Sequence, residues 1–434
     1  MQIHAMLATL LMTAVTATAV SAATPNNETT SSVPQNTMTA IITAVAKADL
    51  SALDQVRQQS PDSTTQLLVS MAQERIQAAF DKSNADAETC EQKLFDSDTE
   101  TALFCARFRV GNLRIAGNDQ EANQADLDMV KRFQSELPSD QVQRLQSYAS
   151  ANDNLPALTV QRPAGGFSIP LQPGYKRERS GNLGETSKRD IAVVANGHEM
   201  TMRVDTAIEY IDLDEDTARQ LGVHLTDEHV VLKTSLNKRY AGKFGILDKL
   251  TFNGVTVENV PVIIVPRTEQ AIGIGILKYL GAFRITKDAI DVYGPNDQRP
   301  TANDRMLIGS HIDGFNMRMI AMLTIEGAPH LTLLNTGDPY YLTGNKGALS
   351  DVDYRFLGSV PGRDIGNVRH NNVVDHTMAN VVIGGQPIQM KFGIFADANM
   401  PWNYQLGRSA LQDMDFYFDF QNGKAAIIPH SGLR

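Results

Sequence analysis

Two short tripeptides, Asp205-Thr206-Ala207 and Asn335-Thr336-Gly337, lie 130 positions apart, each at the end of a strand-like alternating segment. A carboxylate in such a place can act as a general base on water. Two carboxylates held close together share one proton, because both cannot ionise. Asn335 neither ionises nor carries a transferable proton. The two tripeptides, called the triplets below, therefore place one carboxylate and one amide at matching positions.

The triplets belong to a longer internal repeat. A glycine turn with a strand and triplet, a hairpin with an apolar strand, and a hydrophobic–glycine element recur in this order. They lie at residues 196–207 and 326–337, 251–262 and 381–392, and 274–280 and 406–411. The offset drifts only from 130 to 132 residues, which predicts a duplication with copies at 190–297 and 304–434. Short β-branched runs between glycine turns indicate that both copies are β-rich.

This order of features resembles the bacterial retropepsin-like aspartyl protease family of the pepsin/retropepsin clan. The resemblance covers both copies of the repeat and leaves the N-terminal third outside. It implies a multidomain α plus all-β chain, in which an N-terminal helical, repeat-like domain precedes a bilobal pair of pepsin/retropepsin-like β-barrels. It also implies a cleft between the two lobes.

The resemblance implies roles for the triplet residues. Asp205 and Asn335 would occupy the two catalytic positions of an aspartic peptidase, while the Thr206 and Thr336 hydroxyls would cross-bond the two loops. Ala207 replaces the glycine that lets one loop pass close to its mate. We therefore expect a catalytically impaired, aspartic-peptidase-like protein that binds a peptide or protein segment in the cleft.

Two alternative functions remain open. The first is an active aspartic endopeptidase that uses Asp205, with the second carboxylate supplied by Asp338 or by Asp205 of a second copy. The second is a helical scaffold that docks a protein partner, with the β-rich part a relic. An equally good interpretation of Asp205 is a buried, hydrogen-bonded residue without a role in catalysis.

Other residues that could bind a ligand or line the cleft form weaker patterns. His370, Asp375 and His376 share one polar segment, but their spacing matches no closed metal site, so neither a metal nor a cofactor is predicted. Tyr240 is a candidate aromatic at a flap-like hairpin of the first copy. Trp402, the sole tryptophan, is expected either to line the cleft or simply to pack.

Residues 37–155 carry apolar side chains at helical spacing and little glycine. They predict a helical domain that is similar to tetratricopeptide-like repeats, with a small bundle as the alternative. Cys90 and Cys105 flank a turn between two of these helices, which favours a disulfide over two buried thiols. Residues 156–189 contain several prolines and glycines and are interpreted as a linker or an irregular lead-in to the β-rich part.

Residues 1–22 contain no charged side chain and end in small residues, which is the pattern of a secretory signal peptide. Residues 23–36 would form a flexible spacer. We expect an exported protein, periplasmic or secreted, with no membrane contact after cleavage; an uncleaved N-terminal membrane anchor is the alternative.

Composition limits the partners. The formal net charge is −10, and charged residues make up 20% of the 434 positions. An acidic surface disfavours nucleic acid, whose binding depends on cationic side chains that displace counterions. The length corresponds to about three domains, which agrees with one helical unit and two related lobes.

Overall fold

The structure is a computed structural model that describes residues 33–153, 155–177, 183–233, 239–266, 268–302, 305–345, 347–348, 359–363, 369–373, 377–394 and 401–430. The N-terminal part of this range is helical, and the remainder is dominated by strands. The predicted fold class, helices followed by two β-barrels, is confirmed. None of the helices in the described part of the chain has both the length and the apolar character needed to cross a membrane.

The helical domain consists of consecutive helices, each packed against the next. They are α1 (Gln35–Lys47), α2 (Leu50–Gln59), α3 (Ser63–Ile76), α4 (Phe80–Leu94), α5 (Thr99–Ala116), α6 (Asp119–Phe133) and α7 (Ser139–Asp153). Aspartate N-caps start several of them: the carboxylates of Asp49, Asp62 and Asp98 each accept a hydrogen bond from the N–H three residues later. The predicted disulfide is confirmed, since Cys90 on α4 and Cys105 on α5 are bridged with a Cα–Cα distance of 6.0 Å.

Strands β1–β12 with two short helices form the first β-rich unit, lobe 1. Its elements are β1 (Thr159–Gln161), β2 (Phe167–Pro170), β3 (Gln172–Arg177), β4 (Leu183–Ala195), β5 (His198–Asp205), β6 (Ile211–Asp214), α8 (Glu215–Gln220), β7 (His224–Lys233), β8 (Arg239–Phe252), β9 (Val255–Val265), β10 (Ala271–Gly273), α9 (Ile274–Leu277), β11 (Ala282–Ile285) and β12 (Ala289–Tyr293).

Strands β13–β23 form lobe 2. They are β13 (Leu307–Gly309), β14 (Arg318–Ile325), β15 (Ala328–Asn335), β16 (Leu342–Gly344), β17 (Ser359–Arg363), β18 (Arg369–Val373), β19 (Thr377–Ile383), β20 (Gln386–Ile394), β21 (Tyr404–Gly407), β22 (Met414–Asp419) and β23 (Lys424–Pro429). Short 3₁₀ segments follow the hydrophobic–glycine elements of both lobes, at Lys278–Leu280 and Arg408–Gln412.

The two lobes repeat one barrel topology. In lobe 1, β4 pairs with β5 and β8, β5 with β10, β10 with β6, and β6 with β9, which returns to β8. In lobe 2, β14, β15, β21, β16, β20 and β19 make the same pairings in the same order. The parallel and antiparallel senses also agree, so the sequence repeat corresponds to a structural duplication.

The turns that precede the triplet strands are also alike. Asn196 and Gly197 have φ of 45° and 84°, and Glu326 and Gly327 have φ of 48° and 83°. A turn with positive φ at both central residues has a backbone twist that matches the twist of the two strands in a two-residue hairpin. These turns set the register with which each strand delivers its triplet.

A shared sheet joins the lobes, because β11 of lobe 1 pairs antiparallel with β22 of lobe 2, with β2, β12 and β23 flanking them. The helical domain is joined mainly to lobe 2. Its core includes Ile320, Leu333 and Trp402, and the Trp402 indole donates a hydrogen bond to the Lys47 carbonyl at 2.8 Å. The fully buried Arg75 guanidinium donates to the carbonyl of Ile312 in lobe 2 at 2.8 Å.

The segment predicted as a linker, 156–189, is largely strand. β2 pairs with β12, and β3 pairs with β4. Pro170 ends β2, which is an edge strand, and the register of β3 shifts after Pro173. Proline is tolerated at sheet edges and irregularities, since its missing N–H is not needed there. The predicted spacer, 23–36, overlaps the start of α1 at Gln35, and residues before 33 lie outside the described part.

Candidate active site

The two triplets meet where the lobes face each other. The Thr206 N–H donates to the Thr336 hydroxyl at 3.0 Å, and the Thr336 N–H donates to the Thr206 hydroxyl at 3.1 Å. Each hydroxyl then donates across the interface, Thr206 to the Leu334 carbonyl at 2.7 Å and Thr336 to the Val204 carbonyl at 2.9 Å. This reciprocal pattern brings the triplets together within one chain. Lobe 2 therefore fills the place that a second copy would need to pair Asp205 with Asp205.

Both oxygens of the Asp205 carboxylate already have partners. Oδ1 accepts the Ala207 N–H at 3.0 Å, and Oδ2 forms an ion pair with the Arg203 guanidinium at 3.2 Å. Another nitrogen of Arg203 contacts the Glu269 carboxylate at 3.1 Å. Asp205 is only 6% exposed. The carboxylate is thus held by an arginine, whereas in a proton-sharing pair it would face a second acid.

The opposite triplet passes very close to this carboxylate. A Cβ atom added to Gly337 would lie 2.0 Å from Oδ2 of Asp205. An alanine at this position of lobe 2 would therefore require the Asp205 carboxylate to shift. The matching position of lobe 1 is the partly buried Ala207, whose methyl group packs against the core of the helical domain.

Asn335 is bound within its own lobe. Its Nδ2 donates to Gln405 Oε1 at 3.0 Å, and its Oδ1 accepts the Asp338 N–H at 3.1 Å. The Asp338 carboxylate in turn accepts from Gln405 Nε2 at 2.6 Å and from the Thr343 hydroxyl at 2.9 Å. Burial raises the pKa of Asp338 to about 6, although its hydrogen bonds and Arg408 act in the opposite direction. The described hydrogen-bond partners of this carboxylate all belong to lobe 2, and the negative charge of Asp205 also raises its pKa.

The strands beside the triplets place a row of three side chains on the same face as Asp205 or Asn335. Neighbours in register on adjacent strands point to the same side of a sheet, as do residues two apart along one strand. In lobe 1 this row, called the lobe 1 row, is Arg203, Ala271 and Asp212 on β5, β10 and β6. In lobe 2 the equivalent lobe 2 row is Leu333, Gln405 and Thr343 on β15, β21 and β16.

The two rows differ in the polarity of their side chains and in how far the helical domain covers them. The lobe 2 row is filled by Gln405 with its bonds to Asn335 and Asp338, and Leu333 is packed into the helical core. The helices therefore cover the triplet-facing side of lobe 2. The lobe 1 row is polar, and burial together with Asp205 raises the pKa of Asp212 to about 7.

Further charged groups surround Asp205. Arg318 of β14 interacts electrostatically with Asp205 and Asp212, and burial lowers the pKa of its guanidinium. Arg408 donates to the Gly337 carbonyl at 3.0 Å. The Glu209 carboxylate accepts the Asn316 N–H at 2.6 Å, and burial raises its pKa to about 7.

Arg203, Asp212 and Gln405 were not predicted from the sequence. The signal that could have found Arg203 is its place two residues before the triplet, on the same face of β5. Of the weaker candidates, Trp402 packs against the helices. Tyr240 lies on β8 and His370 on β18, both named here only by their backbone, and Asp375 and His376 lie outside the described residues.

Comparison with known proteins agrees with the geometry of lobe 1. Residues 191–279, which include the Asp205 triplet, match the profile of the family described as aspartyl protease. The predicted resemblance is confirmed over this segment. No curated protein matches the sequence.

Solved structures with a similar arrangement come from several sources. The aspartic proteinase from Irpex lacteus has a TM-score of 0.40 and 10% identity, over 61% of this chain and 98% of that one. A retropepsin-like aspartic protease from Rickettsia conorii has a TM-score of 0.21 and 21% identity, over 32% and 92%. Basic 7S globulin from soybean has a TM-score of 0.35 and 11% identity, over 61% and 95%.

Proposed function

We propose that this chain is an exported, aspartic-protease-like protein that has lost most or all peptidase activity and binds a peptide or protein segment beside the triplets. The observation that carries the proposal is the ion pair between Asp205 and Arg203, together with an amide, Asn335, bound to Gln405 at the matching position of lobe 2. Peptide hydrolysis by a carboxylate pair needs one ionised and one protonated acid that exchange a proton. An amide and an arginine-bound carboxylate do not supply that exchange.

Two features support binding as the retained function. The threonine cross-bonds keep the lobes paired although the second acid is absent. Lobe 1 also keeps two charged side chains in its row beside Asp205, Asp212 and the partly exposed Arg203, whereas the helices cover the corresponding side of lobe 2. A bound segment would therefore contact mainly lobe 1.

Export is supported by two independent features. The Cys90–Cys105 disulfide fits an oxidising compartment, and residues 1–22 have the pattern of a signal peptide. Determining the N-terminal sequence of the protein purified from its native host tests this part. We expect a mature start near Ala23, and a chain that retains Met1 would contradict cleavage.

The activity test compares the wild type with Asp205→Asn on a denatured protein substrate at about pH 4 and pH 7. General acid–base catalysis contributes about 10²–10⁴-fold, so an active enzyme would lose at least that factor in the variant. We expect no cleavage above background from either protein. Cleavage by the wild type that disappears in the variant would establish the active endopeptidase instead.

A gain-of-function design tests the reason for the loss. Leu333 is the lobe 2 counterpart of Arg203, so Arg203→Leu with Asn335→Asp gives both lobes a leucine two residues before an aspartate. We expect Asn335→Asp alone to remain inactive, because Arg203 still holds Asp205, and the double variant to cleave substrate at acid pH. Activity of the single variant equal to that of the double variant would show that Arg203 does not matter.

A further inference from the structure

Asp212, in the lobe 1 row, is a buried carboxylate without a partner in the described part of the chain. It is only 8% exposed, yet its carboxylate takes part in no hydrogen bond and no ion pair within 4 Å among the described residues. Buried polar groups in folded proteins are nearly always hydrogen-bonded, so each exception calls for an explanation. A ligand group that supplies the missing partner is one such explanation.

The register shows why no described neighbour reaches Asp212. Arg203 and Asp212 flank Ala271 from either side, so their Cα atoms are about two strand spacings, roughly 9–10 Å, apart. The Arg203 guanidinium is turned to Asp205 and Glu269 at 3.2 and 3.1 Å. The short side chain of Ala271 does not bridge the remaining gap.

The equivalent place in lobe 2 has no such gap. Gln405 stands where lobe 1 has Ala271, and it bonds both Asn335 and Asp338. Thr343 stands where lobe 1 has Asp212, and its hydroxyl donates to Asp338. Among the described residues, the duplicated fold thus satisfies this row in one lobe and leaves an acid unsatisfied in the other.

We propose that Asp212 forms the base of a subsite that takes a basic side chain, lysine or arginine, of the segment bound beside the triplets. The proposal rests on the proposed function and names the chemistry of the ligand. The charged groups that face Asp212 are Asp205 and Arg203 on β5 and Arg318 on β14. Arg203 is held by its own ion pairs, and Arg318 forms no ion pair with Asp212 within 4 Å among the described residues, so an ammonium or guanidinium from the ligand would be the counter-ion within hydrogen-bond reach.

A lysine scan through a labelled nonapeptide tests the subsite in whatever register the segment binds. Each peptide of the series carries one lysine in an alanine–valine background, and a matched series carries norleucine, which has the same length and no charge. Binding is measured by fluorescence anisotropy to the full-length mature protein, to Asp212→Asn and to Asp216→Asn. Asp216 is a highly exposed acid of the same lobe, so its variant controls for net charge.

We expect the peptide with lysine at one particular position to bind the wild type and Asp216→Asn at least tenfold more tightly than the peptide with norleucine at that position. Asp212→Asn should abolish this preference while binding the norleucine peptide as before. The preference should also be larger at pH 8 than at pH 5.5, because the raised pKa of Asp212 leaves the carboxyl protonated in acid.

The other outcomes separate the two proposals. Equal binding of lysine and norleucine peptides, or a preference that survives in Asp212→Asn, overturns the subsite and leaves segment binding in place. A preference lost equally in Asp216→Asn is a general charge effect and also overturns it. If no peptide of either series binds, the proposed function fails, and the subsite fails with it.

Discussion

Replacing Thr206 with valine should lower the free energy of unfolding, because it removes hydrogen bonds between the lobes while it keeps the shape of the side chain. The hydroxyl accepts the Thr336 N–H at 3.1 Å and donates to the Leu334 carbonyl at 2.7 Å, and Thr206 is fully buried. Valine leaves both backbone groups without a partner in a place that water does not reach. A buried group left unsatisfied costs about 1–3 kcal/mol, so we expect the two groups together to cost about 2–6 kcal/mol.

The assay is unfolding in guanidinium chloride, followed by far-UV circular dichroism and by the fluorescence of Trp402. As the sole tryptophan, Trp402 reports on the contact between lobe 2 and the helices. The Thr336 amide, whose acceptor is removed, should also exchange its hydrogen faster in native conditions. A lower midpoint with an unchanged slope would indicate a change in stability alone.

Thr332→Val is the matched control. Thr332 is also fully buried on β15, but its hydroxyl makes only a local bond to the His330 carbonyl at 3.3 Å. We expect this variant to lose less than about 1 kcal/mol. Unfolding of Thr206→Val at the wild-type midpoint, or equal destabilisation of the control, would refute the assigned role of the cross-bonds.

Three further predictions concern Gly337, the disulfide and Asp212. Gly337→Ala should lose about 2–3 kcal/mol in chemical unfolding, because its Cβ would displace the Asp205 carboxylate, whereas Ala207→Gly should cost about 0.5–1 kcal/mol. Removing the disulfide with Cys90→Ser and Cys105→Ser should cost about 3 kcal/mol of thermal or chemical stability, given its sequence separation of 15; an unchanged melting temperature would contradict this. Burial and Asp205 raise the pKa of Asp212 to about 7, so the folded state retains a proton that the unfolded chain releases above about pH 4. The contribution of Asp212 to the free energy of unfolding should therefore fall between about pH 4 and pH 7, by about 4 kcal/mol at most. Asp212→Asn should match the wild type near pH 4 and exceed it at pH 8, and parallel pH profiles would refute this assignment.

The pairing of the triplets followed from the sequence because it depends on topology. The sequence shows two copies of one strand order, each with a related triplet, and the family resemblance implies that such copies pair as lobes through their triplets. The hairpin turns at Gly197 and Gly327 fixed the register of both triplet strands. Local signals of this kind, glycine turns and alternating strands, are what sequence patterns report well.

The chemistry around Asp205 depended on contacts that cross strands. Arg203 can pair with Asp205 because both side chains lie on the same face of β5. Asp212 lies in the same row because it is in register with Ala271 on the neighbouring strand. Neither relation is visible until the register of β10 against β5 and β6 is known. The strands between 156 and 189 were missed for a different reason, since proline content argues against a central strand and says little about an edge.

The absence of a second acid and the presence of Arg203 are two parts of one electrostatic arrangement. In a carboxylate pair, the shared proton removes one of two like charges, and each acid stabilises the other. With Asn335 opposite, Asp205 has no such proton to share, yet it is only 6% exposed. A buried, unpaired carboxylate is costly, and Arg203 supplies the opposite charge at 3.2 Å. Restoring the acid without removing the arginine would therefore add a carboxylate to the triplet opposite an Asp205 that Arg203 already pairs. Arg203 thus stabilises the Asp205 carboxylate without a shared proton, and in the lobe 1 row Asp212 is left as a carboxylate with no side-chain partner among the described residues.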